Sequence, residues 1–327
     1  MLKYLIILSG GLISSMLCIF LLAKVSLKYK ILQAKGMPLV GGLGIAAAFI
    51  FSSGLGIYVL GISGAKIFAV LGASLLMLFF GIVDDLKELS ILQKFLAQSL
   101  CVAVLISFGI MTDIMYFGFW GNAVITFFWI LGITNAFNLL DIMDGLAAGA
   151  ALIVSSALLV IAFLNPDLNM QILSLILCAV TFGFLVFNLP PATVYLGNSG
   201  SHFLGFMIAA ITLILRYASK DNVMALLSPI VILWLPITDT LLLIIFRIIK
   251  KKSPFNKSND HIAFRIRFSA SSPLKTILVM FLLCFFFSLA GVIVTKVSNF
   301  WATSIVIVMF LFSIILFWKL IKIDTHE

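Results

Sequence analysis

Apolar runs of about twenty residues follow one another along nearly the whole 327-residue chain, and the polar residues are confined to the joints between them. A helix of that length crosses the hydrocarbon core of a bilayer, and only helices or closed barrels satisfy their backbone there. Hydrophobic residues make up 63% of the chain and charged residues 10%. A soluble domain of this length could not clothe its surface with so few polar groups. The pattern predicts an all-α polytopic membrane protein with about eleven spans, near 1–23, 41–62, 66–83, 92–110, 120–140, 146–164, 171–187, 200–217, 223–246, 276–296 and 300–319. A single integral membrane domain over 1–327 is expected, with cytosolic loops forming its site.

The basic residues predict the orientation. With the N-terminus outside, only Lys3, Lys66, Arg216, Lys220 and Lys296 of the 21 basic residues fall on the outer side. The rest cluster at Lys24–Lys35, Lys87–Lys94, Arg247–Lys275 and Lys319–Lys322. The positive-inside rule therefore favours N-out, C-in. The net charge of +9 then reports topology, and no nucleic-acid partner is expected. Met1 to Ala23 has an early lysine and an apolar stretch, as a signal peptide does. It lacks a small-x-small cleavage site before a polar region, which predicts a retained first span. Cys18, Cys101, Cys178 and Cys284 lie inside apolar runs and read as small hydrophobes.

In this orientation the polar clusters all open on the cytosolic side. Asp84-Asp85 closes the third span. Two solvated carboxylates at a helix exit would look the same, but adjacent helical residues point about 100° apart, so a functional pair would have two roles. Lys94 opens the next span, either balancing a phosphate or snorkelling to the interface. Asn135, Asn138, Asp141 and Asp144 follow at three-residue steps. Neighbours in that series meet on a helix, but over three steps the helix drifts by about half a circle. The helix must therefore end or tighten near Asp141, with Gly145 helping the chain turn. A polar cap between spans accounts for one such residue more easily than for four.

Asn188-Leu189-Pro190-Pro191 ends the seventh span, and Gly197-Asn198-Ser199-Gly200-Ser201 opens the eighth. Ser199 or Ser201 could cap that helix, whose free N–H groups and positive dipole end would suit an anion. An ordinary capped turn is the plainer alternative. The basic loop Arg247–Lys275 holds Asp260-His261 and Arg265, and a carboxylate beside an imidazole can orient it. Asp239 lies within a span, where a carboxylate is either functional or paired with a neighbouring helix.

Together these residues resemble the polyprenyl-phosphate N-acetylhexosamine-1-phosphate transferases, glycosyltransferase family 4. The likeness is carried by Pro38-Leu39-Val40-Gly41-Gly42, by Asp84-Asp85, by Asn135 through Asp141, by Asp144-Gly145-Leu146, and by Asn188-Leu189-Pro190-Pro191 with Gly197 through Ser201. It is nearer to the undecaprenyl-phosphate GlcNAc-1-phosphate branch than to the phospho-MurNAc-pentapeptide transferases. The resemblance implies transfer of a sugar-1-phosphate from a UDP-sugar to undecaprenyl phosphate at the bacterial inner membrane, releasing UMP and starting a cell-surface glycan. It implies Mg2+, or Mn2+ in its place, held by Asp141 and Asn198. It makes Asp84, Asp85 and Asp144 the catalytic set, and assigns substrate contacts to Lys94, Asn135, Asn138, Asn188, Ser199, His261 and Arg265. Membrane lipid and a second copy of the chain are further candidate partners.

Three positions depart from the family pattern. Asn198 stands where the family carries an aspartate that binds the metal, so the ligand keeps its oxygen and loses its charge. His261-Ile262-Ala263-Phe264 keeps only the first histidine of a His-x-His-His motif, and Ile142 follows Asp141 where glycine is usual. An impaired relative that binds polyprenyl phosphate or a partner enzyme is therefore the alternative expectation. A flippase or transporter of lipid-linked sugars is a third. It would hold its ionisable groups near the midplane, whereas most lie at one face here.

Overall fold

The computed structural model describes residues 1–217, 222–251, 260–270 and 272–323. Lys220, and Lys252 and Lys257 of the Arg247–Lys275 cluster, which entered the charge argument, lie outside the described residues. The chain forms two compact units, Met1–Arg216 and Tyr217–Glu327.

The first unit holds eight helices: α1 (Leu2–Tyr29), α2 (Gly41–Leu60), α3 (Ala65–Leu86), α4 (Ile91–Ser107), α5 (Gly118–Leu140), α6 (Leu146–Leu164), α7 (Leu168–Asn188) and α8 (Gly197–Ile214). Two-residue strands β1 (Gln33–Ala34) and β2 (Met37–Pro38) make a hairpin between α1 and α2. Its turn residues Lys35 and Gly36 both have positive φ, 51° and 79°, which is the geometry of a tight I′ turn. Helix α8 is central. It packs against α2, α3, α5 and α6.

The close packing around α8 has a specific cause. Glycines take the places where helix backbones touch, at Gly42 on α2, Gly81 on α3 and Gly200 on α8. A Cβ on Gly42 would strike the backbone of Gly200, and one on Gly81 would lie 2.5 Å from Ser199 Cα. Small residues permit such approaches in membrane bundles.

The second unit contains a 3-10 turn (Val223–Leu227), α9 (Ser228–Ile232), α10 (Trp234–Ile249), α11 (Ile262–Ala270), α12 (Pro273–Val294) and α13 (Asn299–Leu320). The side chain of Arg265 fastens α11 to the end of α13. Its Nη1 donates to the Leu320 and Ile323 carbonyls at 2.9 and 2.7 Å, Nη2 donates to Asp260 Oδ1 at 2.7 Å, and the guanidinium lies over Phe246. Leu320 ends α13, so its carbonyl has no partner within the helix. Lys250 is the second partner of Asp260. Burial alone would raise the Asp260 carboxyl, but the two cations outweigh it and hold it below its ordinary value.

Among the described residues nine helices are long and apolar enough to cross a membrane. The segments Val223–Ile232 and Trp234–Ile249, bent by 66°, make a tenth if counted as one span. The count is thus below the eleven expected, and the difference lies at the fourth segment. It was expected over 92–110 but yields a helix of 17 residues, about 25 Å long at 1.5 Å per residue. Gly109, with φ 70°, stops it. The Ile110 and Gly109 N–H groups turn back to Leu105 and Ile106 at 2.9 Å each, a glycine-terminated helix end.

The glycine contacts can be tested. Gly81→Val should cost at least about 1–3 kcal/mol and lower the melting temperature of the detergent-solubilised protein. Gly54→Ala, with nothing within 4 Å of the added carbon, should not lower it, since alanine is the better helix former. Equal melting of the two variants would show that the backbones have room to part.

Candidate active site

The two aspartates at the end of α3 diverge, as their spacing requires. Asp85 reaches the start of α8, where Oδ1 accepts the Asn198 N–H at 2.7 Å and Oδ2 the Ser199 N–H at 3.0 Å. Gly197 makes this possible. It sits at φ 78°, and a Cβ there would come within 2.8 Å of Asp85 Oδ2. The first N–H groups of a helix lack partners and carry the positive end of its dipole. A carboxylate from another helix answers both, so the expectation of an open anion site at this N-terminus is corrected: Asp85 occupies it. Neither Ser199 nor Ser201 caps α8 through its side chain.

Asp84 turns the other way. Its Oδ1 accepts the Leu89 N–H at 2.8 Å, and Oδ2 pairs with Lys94 Nζ at 2.8 Å. Lys94 is thus engaged by a buried carboxylate, with its own side chain 30% exposed.

Helix α5 ends at Leu140, one residue before Asp141. Its polar residues separate along the helix. Asn135 is paired reciprocally with Gln98 of α4, at 2.8 and 3.2 Å. One turn later, Asn138 Nδ2 donates to Asn198 Oδ1 at 2.9 Å and to Ser201 Oγ at 3.0 Å. The turn 141–145 is then fastened to the loop before α8. Asn188 accepts the Gly145 N–H at 3.0 Å and donates to the Val194 carbonyl at 2.9 Å, and Asp144 Oδ2 accepts the Ala192 N–H at 3.0 Å. Asn188 is buried, so its amide is spent inside the fold.

These contacts shape a cavity of about 360 Å³ whose polar lining includes Asp85, Asp141, Asp144, Asn188, Asn198 and Lys35. Lys35 was read from sequence only as a topological charge, and the hairpin turn brings it to the rim. Among the described residues the Asp141 carboxylate has no hydrogen-bond or ion-pair partner. Burial, then the negative charges of Asp85 and Asp144, push its carboxyl from 3.8 up to about 7. Such a cluster with a single lysine fits a divalent cation. No three acidic, histidine or cysteine side chains among the described residues form a complete cage. Magnesium suits that arrangement, because it is usually held by one or two carboxylates, retained water and substrate phosphates.

His261 and Arg265 lie in the second unit. His261 Nδ1 meets Asp239 Oδ2 at 2.8 Å, and Asp239 Oδ1 accepts the Ile262 N–H at 2.8 Å, so the intramembrane carboxylate holds both the ring and the start of α11. Arg265 makes the contacts already described.

Known proteins resemble this chain. A family model described as Glycosyl transferase family 4 matches residues 67–216. The chain is 34% identical to a Bacillus subtilis protein named probable undecaprenyl-phosphate N-acetylglucosaminyl 1-phosphate transferase, over 88% of this chain and 80% of that protein. A Thermotoga maritima undecaprenyl-phosphate alpha-N-acetylglucosaminyl 1-phosphate transferase is 30% identical over 67% of each chain. A phospho-N-acetylmuramoyl-pentapeptide-transferase of Oceanobacillus iheyensis is 44% identical but over only 30% of each chain. The extent of the Bacillus match and the residues gathered on one cavity agree, and the chain belongs to glycosyl transferase family 4.

Proposed function

We propose that the chain transfers N-acetylglucosamine-1-phosphate from UDP-N-acetylglucosamine to undecaprenyl phosphate, releasing UMP and starting a lipid-linked cell-surface glycan. The site faces the cytosol in a bacterial inner membrane, with the N-terminus out and the C-terminus in. The observation that carries this reading is the convergence of Asp85, Asp141, Asp144, Asn198 and Lys35 on one cavity at the polar ends of apolar helices. A diphosphate brings negative charge into a site that already holds three carboxylates, so a cation must come with it. The names of the relatives supply the sugar and the lipid.

In this reaction an oxygen of the lipid phosphate forms a bond to the β-phosphorus of the donor, and the bond from that phosphorus to UMP breaks. Asp141 and Asn198 would hold a magnesium ion, which would neutralise charge on the diphosphate. Lys35 adds a positive charge at the rim. Asn138 orients the Asn198 amide. A phosphate monoester has a second pKa of about 6, so the acceptor is largely a dianion at neutral pH and needs little help to ionise. Each Asp85 oxygen accepts an N–H from the start of α8, and we assign Asp85 to positioning that helix end. Asp144 holds the loop at Ala192 and adds charge to the cavity.

A second reading is favoured by one observation. Asn198 is neutral, and its Oδ1 already accepts a bond from Asn138. A chain that binds polyprenyl phosphate without turnover would tolerate this. Purified protein given undecaprenyl phosphate, magnesium and UDP-N-acetylglucosamine should release UMP, and Asn198→Asp should raise the rate. Absence of release from both chains, with undecaprenyl phosphate still raising the melting temperature, would favour the binding-only reading. Asp141→Ala should reduce release at least about 100-fold, as loss of a preorganised charge does. Turnover near the native rate in that variant would remove Asp141 from the site.

The same carboxylate makes a prediction in a metal chelator. A folded-state value raised to about 7 means that ionising Asp141 opposes folding. The penalty is absent below about pH 4, grows up to about pH 7 and is level above it. The stabilisation gained by Asp141→Asn should therefore be larger at about pH 8 than at about pH 5, read as melting temperature. Added magnesium should narrow the difference at the higher pH by stabilising the native chain.

A further inference from the structure

One buried titratable group has no part in the contacts above. His202, in the second turn of α8, is 4% exposed, and its Nε2 is buried with no hydrogen-bond partner. An unpaired polar atom in an apolar interior is costly, and such atoms are normally satisfied by protein or by ordered water. The ring lines a void of about 10 Å³ shared with Asp84, Lys94 and Gln98, against Met77 and Phe80. That volume corresponds to one water molecule.

The polar walls have bonding capacity to spare. Each Asp84 oxygen has one partner, Leu89 N–H or Lys94 Nζ, and a carboxylate oxygen can accept more. Gln98 gives one hydrogen and accepts one in its pairing with Asn135, leaving an N–H and a lone pair. A water in the void would therefore find the two to four partners that buried waters take.

We infer that one ordered water bridges His202 Nε2, Asp84 and Gln98, and that through it His202 is a positioning residue for the Asp84–Lys94 pair. Asp84 is buried and Lys94 is partly exposed. When an acceptor phosphate draws on Lys94, the carboxylate left behind would be uncompensated, a strongly unfavourable arrangement. His202 and its water give Asp84 a second donor, so Lys94 can be shared between the buried carboxylate and the lipid phosphate. The role of Lys94 rests on the transferase reading; the water and the coupling of His202 to Asp84 do not.

Two measurements on the full-length protein in detergent test this. The first is a melting cycle without substrates, using His202→Leu, Asp84→Asn and the double variant. Each single change should lower the melting temperature, and the double variant should melt close to Asp84→Asn alone. Additive losses would overturn the coupling. Gln98→Leu takes the place of His202→Leu in the cycle should the latter not fold. The second is UMP release. His202→Leu should raise KM for undecaprenyl phosphate about tenfold and leave KM for UDP-N-acetylglucosamine within about twofold, while His202→Gln, which keeps a polar tip, should restore the native value. Equal rises for both substrates would overturn the positioning role. Absence of UMP release from the native chain would sink the transferase reading, and the melting cycle would still decide whether His202 and Asp84 are coupled.

Discussion

A carboxylate from one helix satisfying the N-terminus of another is the contact on which the site depends. Asp85 joins the last turn of α3 to the first turn of α8 through two backbone N–H groups. Without it α8 would begin with unpaired donors beside a membrane interior. With it, Asn198 and Ser201 come to face Asn138 on α5, and the cavity acquires its wall. Glycines at the same level let the helix backbones come close enough for a short aspartate side chain to span the gap. Electrostatics and packing are therefore one arrangement here. The charge is useful because the backbones touch, and the touching backbones are affordable because each donor is paired.

The turn after α5 shows a second balance. Asp144 and Asn188 spend their polar groups on backbone partners, holding residues 141–145 against 188–196. Asp141 lies between them with no such partner. An unpaired carboxylate among neighbours tied to backbone partners is the arrangement that the proposed metal-ligand role of Asp141 would use. Its raised pKa is the cost of that geometry in the absence of a cation.

Much of this could be read from residue spacing. Asp84 and Asp85 had to diverge because neighbouring side chains on a helix do, and α5 had to stop near Asp141 because three-residue steps wander off one face. The apolar periodicity located most helices to within a few residues, but α1 runs on to Tyr29 instead of ending near residue 23, and the segment expected over 223–246 is broken by a 66° bend. What escaped the sequence depended on partners far away along the chain. Nothing local to Asn135 names Gln98 as its mate, and nothing local to α8 reveals that its N-terminus is already filled from α3. Lys35 reaches the rim only because residues 35 and 36 both adopt left-handed backbone, a property visible in glycine but not in lysine. His202 was not singled out from the sequence, because its orphaned nitrogen has meaning only beside Asp84 and Gln98.

The glycine junction of α2, α3 and α8 has a mechanical consequence. Where backbone lies on backbone there is no side-chain layer between the helices, and any added carbon at Gly42, Gly81 or Gly200 would meet a neighbouring residue. The α8 end of the cavity wall is therefore set by main chain, whereas the opposite rim is carried by the hairpin ribbon with Lys35.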